Sequence, residues 1–217
     1  MNYDSVPLRD FKELNDWETV IFVYQSALKQ VETKIDILNG EFQHRHKYNP
    51  IEHVKSRIKT PESIVKKLKR HGYESSIENM VRYVNDIAGI RISCSFTSDI
   101  YLIADMISKQ NDLTILARRD YMKNPKKSGY RSYHMLVTTP VFLSDSIIDT
   151  KVEIQIRTVA QDFWATLEHK MHYKFEGDGP DYITKRIKRM CAICSRTGIP
   201  AWKNSIMKSR NMENYQI

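Results

Sequence analysis

The sequence predicts an α/β domain of the mixed α+β kind: a mixed sheet flanked by helices, with one long helix near the N-terminus. Three observations carry this expectation. Apolar residues from Trp17 to Phe42 recur in strict 4-3 spacing, which marks a long helix. Lys151–Arg157 alternates polar and apolar residues without a break, the period of a strand with one buried face. Between them, segments of helical and strand period alternate irregularly, the order expected of a mixed sheet with helices packed on it.

The elements follow in order. Trp17, Ile21, Tyr24, Leu28, Val31, Ile35, Leu38 and Phe42 form one stripe of a helix placed at 16–46, with Asp16 as its N-cap. Packing on its own domain is one reading of that stripe, and contact with another subunit is the other. A basic helix spans 60–70, with Thr60 as N-cap and Pro61 at the first helical position. A shorter helix lies around 76–84. The next strand has Ile90, Ile92, Cys94 and Phe96 inward and Arg91, Ser93 and Ser95 outward. A helix at 98–109, a strand at 113–118, a basic loop at 119–129 and strands at 130–138 and 151–157 follow. The capping box Thr158-x-x-Gln161 opens a helix at 159–175, whose Val159, Phe163, Leu167 and Met171 read as a buried stripe.

At 217 residues the chain is long enough for one well-filled core. A single domain is expected over 1–181, with a catalytic core at 50–175 and a basic extension at 182–217. That extension carries eight Lys and Arg against Glu213 alone, or +7 of the total +8, so the basic balance describes the tail rather than the core. No apolar run reaches the roughly 18 residues of a membrane span. No signal-peptide pattern opens the chain, and Cys94, Cys191 and Cys194 do not make a disulfide framework, so a cytoplasmic protein is expected.

Several groups suit phosphate chemistry. Arg57, Lys59, Ser63 and Lys67 surround a helix start, where free N–H groups and the helix dipole favour anions. A solvated basic helix is the plainer alternative. Asp86 at a strand entry and Glu153 on the next strand's polar face suit a Mg²⁺ ion shared with substrate phosphates. Otherwise Asp86 caps a turn and Glu153 pairs with Arg157 or Lys151. The face bearing Lys151, Glu153, Gln155 and Arg157 belongs either to an edge strand in water or to a polar cleft. The run Arg118–His134 is a basic loop entering a strand on which Tyr130, Ser132 and His134 share a face, a platform for a nucleobase among cations. His169, His172, Cys191 and Cys194 have the residue types of a zinc site, but their helical surroundings fit surface histidines and buried cysteines better.

Five motifs then occur in order: Arg-x-Lys-x-x-x-Ser at 57–63, Asp-Ile-Ala-Gly-Ile-Arg at 86–91, Asp-Tyr-x-x-x-Pro-Lys at 120–126, Gly-Tyr-Arg-Ser-Tyr-His at 129–134, and Val-Glu-Ile-Gln-Ile-Arg-Thr at 152–158. Together they resemble the (p)ppGpp synthetase domain of the RelA/SpoT family over about residues 16–175. The stretches 49–57 and 162–170 resemble the stand-alone small alarmone synthetases, nearest the RelP type. The resemblance implies a sheet of nucleotidyltransferase type and Mg²⁺-dependent transfer of the β,γ-pyrophosphate of ATP to the 3′-hydroxyl of GDP or GTP. It implies ATP binding by Arg57, Lys59, Ser63, Lys67, Arg91 and Arg119, and metal binding by Asp86 and Glu153. Lys126, Tyr130, His134, Gln155 and Glu168 would surround the acceptor, with Tyr130 stacked on guanine; Glu153, Gln155 and Asp86 would form the catalytic set. A homotetramer is implied too. Ser128 departs from the Asn many family members carry before Gly129-Tyr130. No His-Asp dipeptide occurs, so synthesis without hydrolysis is expected. The competing function keeps the chemistry and moves the acceptor to the 3′ end of tRNA, with the basic tail as a footprint for RNA.

Overall fold

The structure, a computed structural model, describes residues 16–126 and 128–174, with the side chains of 169 and 171–174 outside the description. His169, His172, Cys191 and Cys194, whose types suit zinc but whose surroundings argue against it, the Met171 position of the expected stripe, and the tail at 182–217 therefore lie outside the described residues and side chains.

The order is α1 (Trp17–His46), β1 (Ile51–Ile58), α2 (Pro61–Arg70), α3 (Ile77–Tyr83), β2 (Ala88–Cys94), α4 (Thr97–Ser108), β3 (Thr114–Asp120), β4 (Tyr133–Phe142), β5 (Ile147–Thr158) and α5 (Val159–Lys174). The strands form one sheet in the order β1-β2-β5-β4-β3. The β2–β5 pair is parallel and the other pairs are antiparallel, so the sheet is mixed as expected. β5 is the central strand, which removes the reading of 151–157 as an edge strand in water.

Local chemistry sets the helix starts. Asp16 Oδ1 accepts from Thr19 N–H, Thr60 caps α2 with Pro61 following it, and Ser76 caps α3. The box at α5 closes in both directions: Thr158 N–H donates to Gln161 Oε1 at 2.9 Å and Gln161 N–H to Thr158 Oγ1 at 3.3 Å. Inside α4, the carboxylate of Asp99 is fully buried and accepts from Phe96 N–H and from Tyr48 O–H at 2.7 Å.

One sheet face is apolar. Ile90, Ile92, Met135, Val137, Val152, Ile154 and Ile156 form a single buried cluster with Val20, Val23, Ala27 and Val31 of α1 and Ile100, Ile103 and Ile107 of α4. The burial removes enough apolar surface to hold both helices against this face. Among the described residues no helix is long and apolar enough to cross a membrane.

Four expectations need correction. Residues 51–58 form a strand that sequence reading leaves unassigned. β1 is an edge with mostly exposed residues and an irregularity between Ile51 and His53, so its apolar residues lose the period of two. β3 runs to Asp120 and takes Arg119 into the sheet, while β4 starts only at Tyr133, leaving Tyr130 on the loop. Ser132 is fully buried; its hydroxyl donates to the Ile156 carbonyl and also meets the Tyr130 side chain, which in turn meets His134, so these three side chains do come together. Finally, the start of the α5 stripe faces outward: Val159 is 45% and Phe163 59% exposed, whereas Gln161 and Trp164 are buried. α5 covers the polar face of the sheet, so its inward residues answer to charge rather than to apolar periodicity.

Candidate active site

Register builds the site, because cross-strand partners point to the same face of a sheet. Lys55 pairs with Arg91, Arg91 with Gln155, Gln155 with His134, and His134 with Arg119. One row of polar side chains thus crosses all five strands. The next row runs Arg57, Gly89, Glu153, Leu136 and Ala117 only by the same pairings. Ion pairs of Asp162 in α5 with Arg91 at 3.4 Å and Arg157 at 3.5 Å tie the covering helix to this face.

Two cavities open over these rows. The larger, about 670 Å³, is lined by Arg57, Arg91, Tyr130, Gln155, Arg157, Ala165, Thr166, Glu168 and Lys170. The second, about 240 Å³, is lined by Lys55, Ser56, Arg57, Asp86, Gly89, Ile90, Arg91, Glu153 and Gln155. They share Arg57, Arg91 and Gln155, so the two spaces meet at a wall of two guanidiniums and an amide. A small third recess holds Asn85, Arg119, His134 and Glu153.

Asp86 is gripped by two ammonium groups, Lys67 on Oδ1 at 2.7 Å and Lys59 on Oδ2 at 2.9 Å. Burial pushes its carboxyl pKa up, but the Lys67 and Lys59 bonds outweigh that and hold it below the ordinary value. Glu153 is also below the ordinary range: burial raises it, and the bonds from His134 and Gln155 win. Both acids are therefore ionised at neutral pH.

Glu153 belongs to a continuous chain of contacts. Its Oε1 faces His134 Nδ1 at 3.2 Å and its Oε2 accepts from Gln155 Nε2 at 2.9 Å. An ionised carboxylate only accepts, so His134 Nδ1 is the donor to Glu153, and His134 Nε2 shares a hydrogen bond with the Tyr130 hydroxyl at 2.9 Å. Gln155 Oε1 accepts from Arg157 at 2.6 Å, and the Arg157 guanidinium lies 5.6 Å from the Tyr130 ring centre. Lys126 sits 5.0 Å from the same ring centre, on the loop that carries it. The Tyr130 ring is thus an aromatic surface between two cations, beside the larger cavity.

The sequence-derived residues converge unevenly. Arg57, Asp86, Arg91, Tyr130, Glu153, Gln155 and Glu168 line the two cavities; Arg119 and His134 line the third recess. Lys59 and Lys67 reach the site through Asp86. Ser63 is exposed, bonded to Thr60, and is not among the cavity-lining residues. Sequence reasoning passed over Arg157, although it stood on the right strand face, and also Lys55, Gly89 and Asp162. For Asp162 the available signal was an acid in the first turn of α5, two residues before the buried Trp164.

The donor set bears on metal binding. Among the described residues no three His, Cys, Asp or Glu side chains surround a point suited to a metal ion. Two ionised carboxylates, Asp86 and Glu153, do border one cavity, with cations on its other walls. That set fits Mg²⁺, which takes one or two carboxylates and fills its remaining positions with phosphate oxygens and water.

The fold agrees with the comparisons. Residues 56–178 match the family model described as a region found in RelA / SpoT proteins. The chain is 45% identical over 180 residues to the GTP pyrophosphokinase YwaC of Bacillus subtilis (strain 168), covering 83% of this chain and 86% of that protein. It is similar to the crystal structure of small alarmone synthetase 2 from Bacillus subtilis, with 41% identity, a TM-score of 0.73 and coverage of 92% of this chain and 100% of that one. It is also similar to small alarmone synthetase 1 from Bacillus subtilis bound to its product pppGpp, at 33% identity and a TM-score of 0.75, over 90% of this chain and 97% of that one. A match across more than half the chain, a relative this similar over its length, and a five-stranded mixed sheet carrying the motifs in one cleft lead to one conclusion: the chain belongs to the RelA/SpoT family, and its near structural relatives are small alarmone synthetases.

Proposed function

We propose that this protein transfers the β,γ-pyrophosphate of ATP to the 3′-hydroxyl of GDP or GTP, forming ppGpp or pppGpp and releasing AMP. The observation that carries the proposal is the pair of cavities meeting at Arg57, Arg91 and Gln155, with Asp86 and Glu153 beside the junction. Two nucleotides placed on either side of that wall would bring a hydroxyl and a phosphate chain together. The relative solved with pppGpp, and the pyrophosphokinase names of the curated relatives, support the same assignment.

In this reading Arg57, Arg91 and Arg119 hold the donor, and Lys59 and Lys67 serve it from their places on Asp86. Ser63 belongs to the same donor motif. The acceptor guanine stacks on Tyr130, with Lys126, Gln155 and Glu168 around it. Mg²⁺, held by Asp86 and Glu153, would supply charge neutralisation for the phosphate oxygens. The acceptor O3′ bonds to the β-phosphorus as the bond from that phosphorus to the bridging oxygen of AMP breaks. AMP leaves with the electron pair, and the O3′ proton passes to Glu153. His134 and Gln155 fix the Glu153 carboxylate, so little reorganisation is needed at the moment of transfer. Arg and Lys around the junction stabilise the charge developing toward AMP.

The same reading makes this a RelP-type synthetase without hydrolase activity and a homotetramer. Exposed Phe22 and Ile37 on α1, and Val159 and Phe163 on α5, are apolar surface that further subunits would cover. The tRNA acceptor depends on the tail at 182–217, outside the described residues, and no described feature favours it.

The test is a transfer assay with ATP labelled in its terminal phosphate and with GDP, GTP or deacylated tRNA offered separately. Label is expected in guanosine tetra- and pentaphosphate, and label on tRNA alone would sink the proposal. Glu153→Gln is expected to lower kcat by at least a hundredfold. Near-normal turnover of that variant at saturating Mg²⁺ would remove Glu153 as the base.

A further inference from the structure

Gly89 stands where the protein without ligand has no need of a glycine. It lies in β2, a strand paired on both sides, where glycine weakens a strand and packs nothing. A turn of positive φ usually explains such a residue, but the positive-φ glycines among the described residues are Gly72 and Gly129. Tight packing is the other usual reason. A Cβ built on Gly89 meets no heavy atom within 4 Å outside its chain neighbours.

Register shows where that Cβ would point. Arg57 and Glu153 flank Gly89 on the neighbouring strands, and all three line the 240 Å³ cavity. A side chain at 89 would stand in the cavity between a guanidinium and a carboxylate. Glycine here keeps the floor of the cavity at backbone level.

We propose that the β2 backbone at Gly89 is a contact surface for the phosphate chain of the donor nucleotide, and that this contact is the reason for the glycine. The inference deepens the pyrophosphate-transfer reading and rests on it. The occupant is a polyphosphate because Lys55, Arg57 and Arg91 supply three cations to this cavity. It is the donor's chain because Asp86, with its two lysines, borders this cavity and not the larger one, whereas Tyr130 and Glu168 border only the larger. One added carbon lifts the floor by about 1.5 Å. A displacement of about 1 Å of a reacting group is enough to lower a rate about a hundredfold.

Gly89→Ala and Gly89→Val, made in the full chain, test this. The readouts are the thermal midpoint without ligand, calorimetric affinities for the methylene ATP analogue AMPCPP and for GDP, and the transfer rate. Melting at or above the wild-type midpoint is expected, since alanine and valine are better strand residues than glycine. AMPCPP affinity should fall about tenfold for alanine and more than a hundredfold for valine, with GDP affinity unchanged. Three results overturn the proposal: midpoints several degrees below wild type, which place the need for glycine in the fold; wild-type AMPCPP affinity in Gly89→Val; or an equal loss for GDP. Wild-type protein assayed alongside separates the two readings, because a wild type without transfer defeats the functional proposal itself.

Discussion

Lys151 offers a prediction whose size follows from its surroundings. Its side chain is 2% exposed, and its ammonium donates to the Arg82 carbonyl at 3.2 Å and to Asn85 Oδ1 at 2.8 Å. Both partners are neutral. Burial, helped by the charge of Lys67, lowers its pKa to about 8 from 10.5. At about 1.4 kcal/mol per pH unit, holding the proton in the fold costs about 3 kcal/mol at neutral pH. The perturbation is Lys151→Met, which keeps the apolar stem. It removes that penalty but strands two acceptors at about 1–3 kcal/mol each, so wild type and variant should lie within about 3 kcal/mol of each other at pH 7. The pH dependence is the sharper readout. Between pH 8 and 10.5 the unfolded lysine keeps its proton while the folded one has lost it. The unfolded state therefore binds more protons, and wild-type stability rises with pH. The neutral amine still donates to both acceptors, so wild type should gain about 3 kcal/mol on the variant across this window. Urea unfolding of metal-free protein at pH 7, 8, 9 and 10 measures the difference and cancels titrations common to both. A difference flat across that range would refute the reasoning, because it would mean that Lys151 is not desolvated.

Further tests probe the cleft. Tyr130→Leu should raise KM for GDP by about 5- to 150-fold, the loss of one stacked base at about 1–3 kcal/mol, and leave KM for ATP near wild type. Tyr130→Phe loses the hydroxyl's bonds to His134 and Ser132 but keeps the ring, and should cost GDP less than Tyr130→Leu does; a larger effect on ATP than on GDP in either variant would move Tyr130 out of the acceptor site. Asp162→Asn leaves Arg91 and Arg157 facing each other without their shared anion, and should lower stability in urea by about 2–3 kcal/mol. Saturating nucleotide should restore much of that loss if phosphates take over the guanidiniums, and failure to restore it would separate this pair of arginines from the nucleotide site.

Local rules made parts of this protein readable in one dimension. The 4-3 stripe of α1 is buried or half-buried along its length, Asp16 and Thr60 cap where expected, and the Thr158–Gln161 box closes. These features depend on neighbours within one helical turn, so spacing alone carries them. The alternation at 151–157 announced a strand, and the motifs around it named Arg57, Asp86, Arg91, Tyr130, Glu153, Gln155 and Glu168 among the residues that line the two cavities. Spacing could not say that this strand is central, because that depends on which segments pair with it. The exposed edge β1 was invisible for a related reason, since only half-buried strands advertise a period of two. The outward turn of Val159 and Phe163 shows the same limit: helical period locates an apolar stripe but does not choose what the opposite stripe meets. Pairing of β1, β2, β5, β4 and β3 brought Lys55, Arg91, Gln155, His134 and Arg119 into one row from positions 55 to 155 of the chain. It also set Asp86 between Lys59 and Lys67 and Glu153 between His134 and Gln155. Local order along the chain set the helices, the starts of α1, α2 and α5, every strand type but the exposed edge β1, and the residue chemistry available for the cleft. The tertiary structure alone decided which carboxylate meets which cation, because charges interact through space over a few ångströms while sequence distance leaves that separation open.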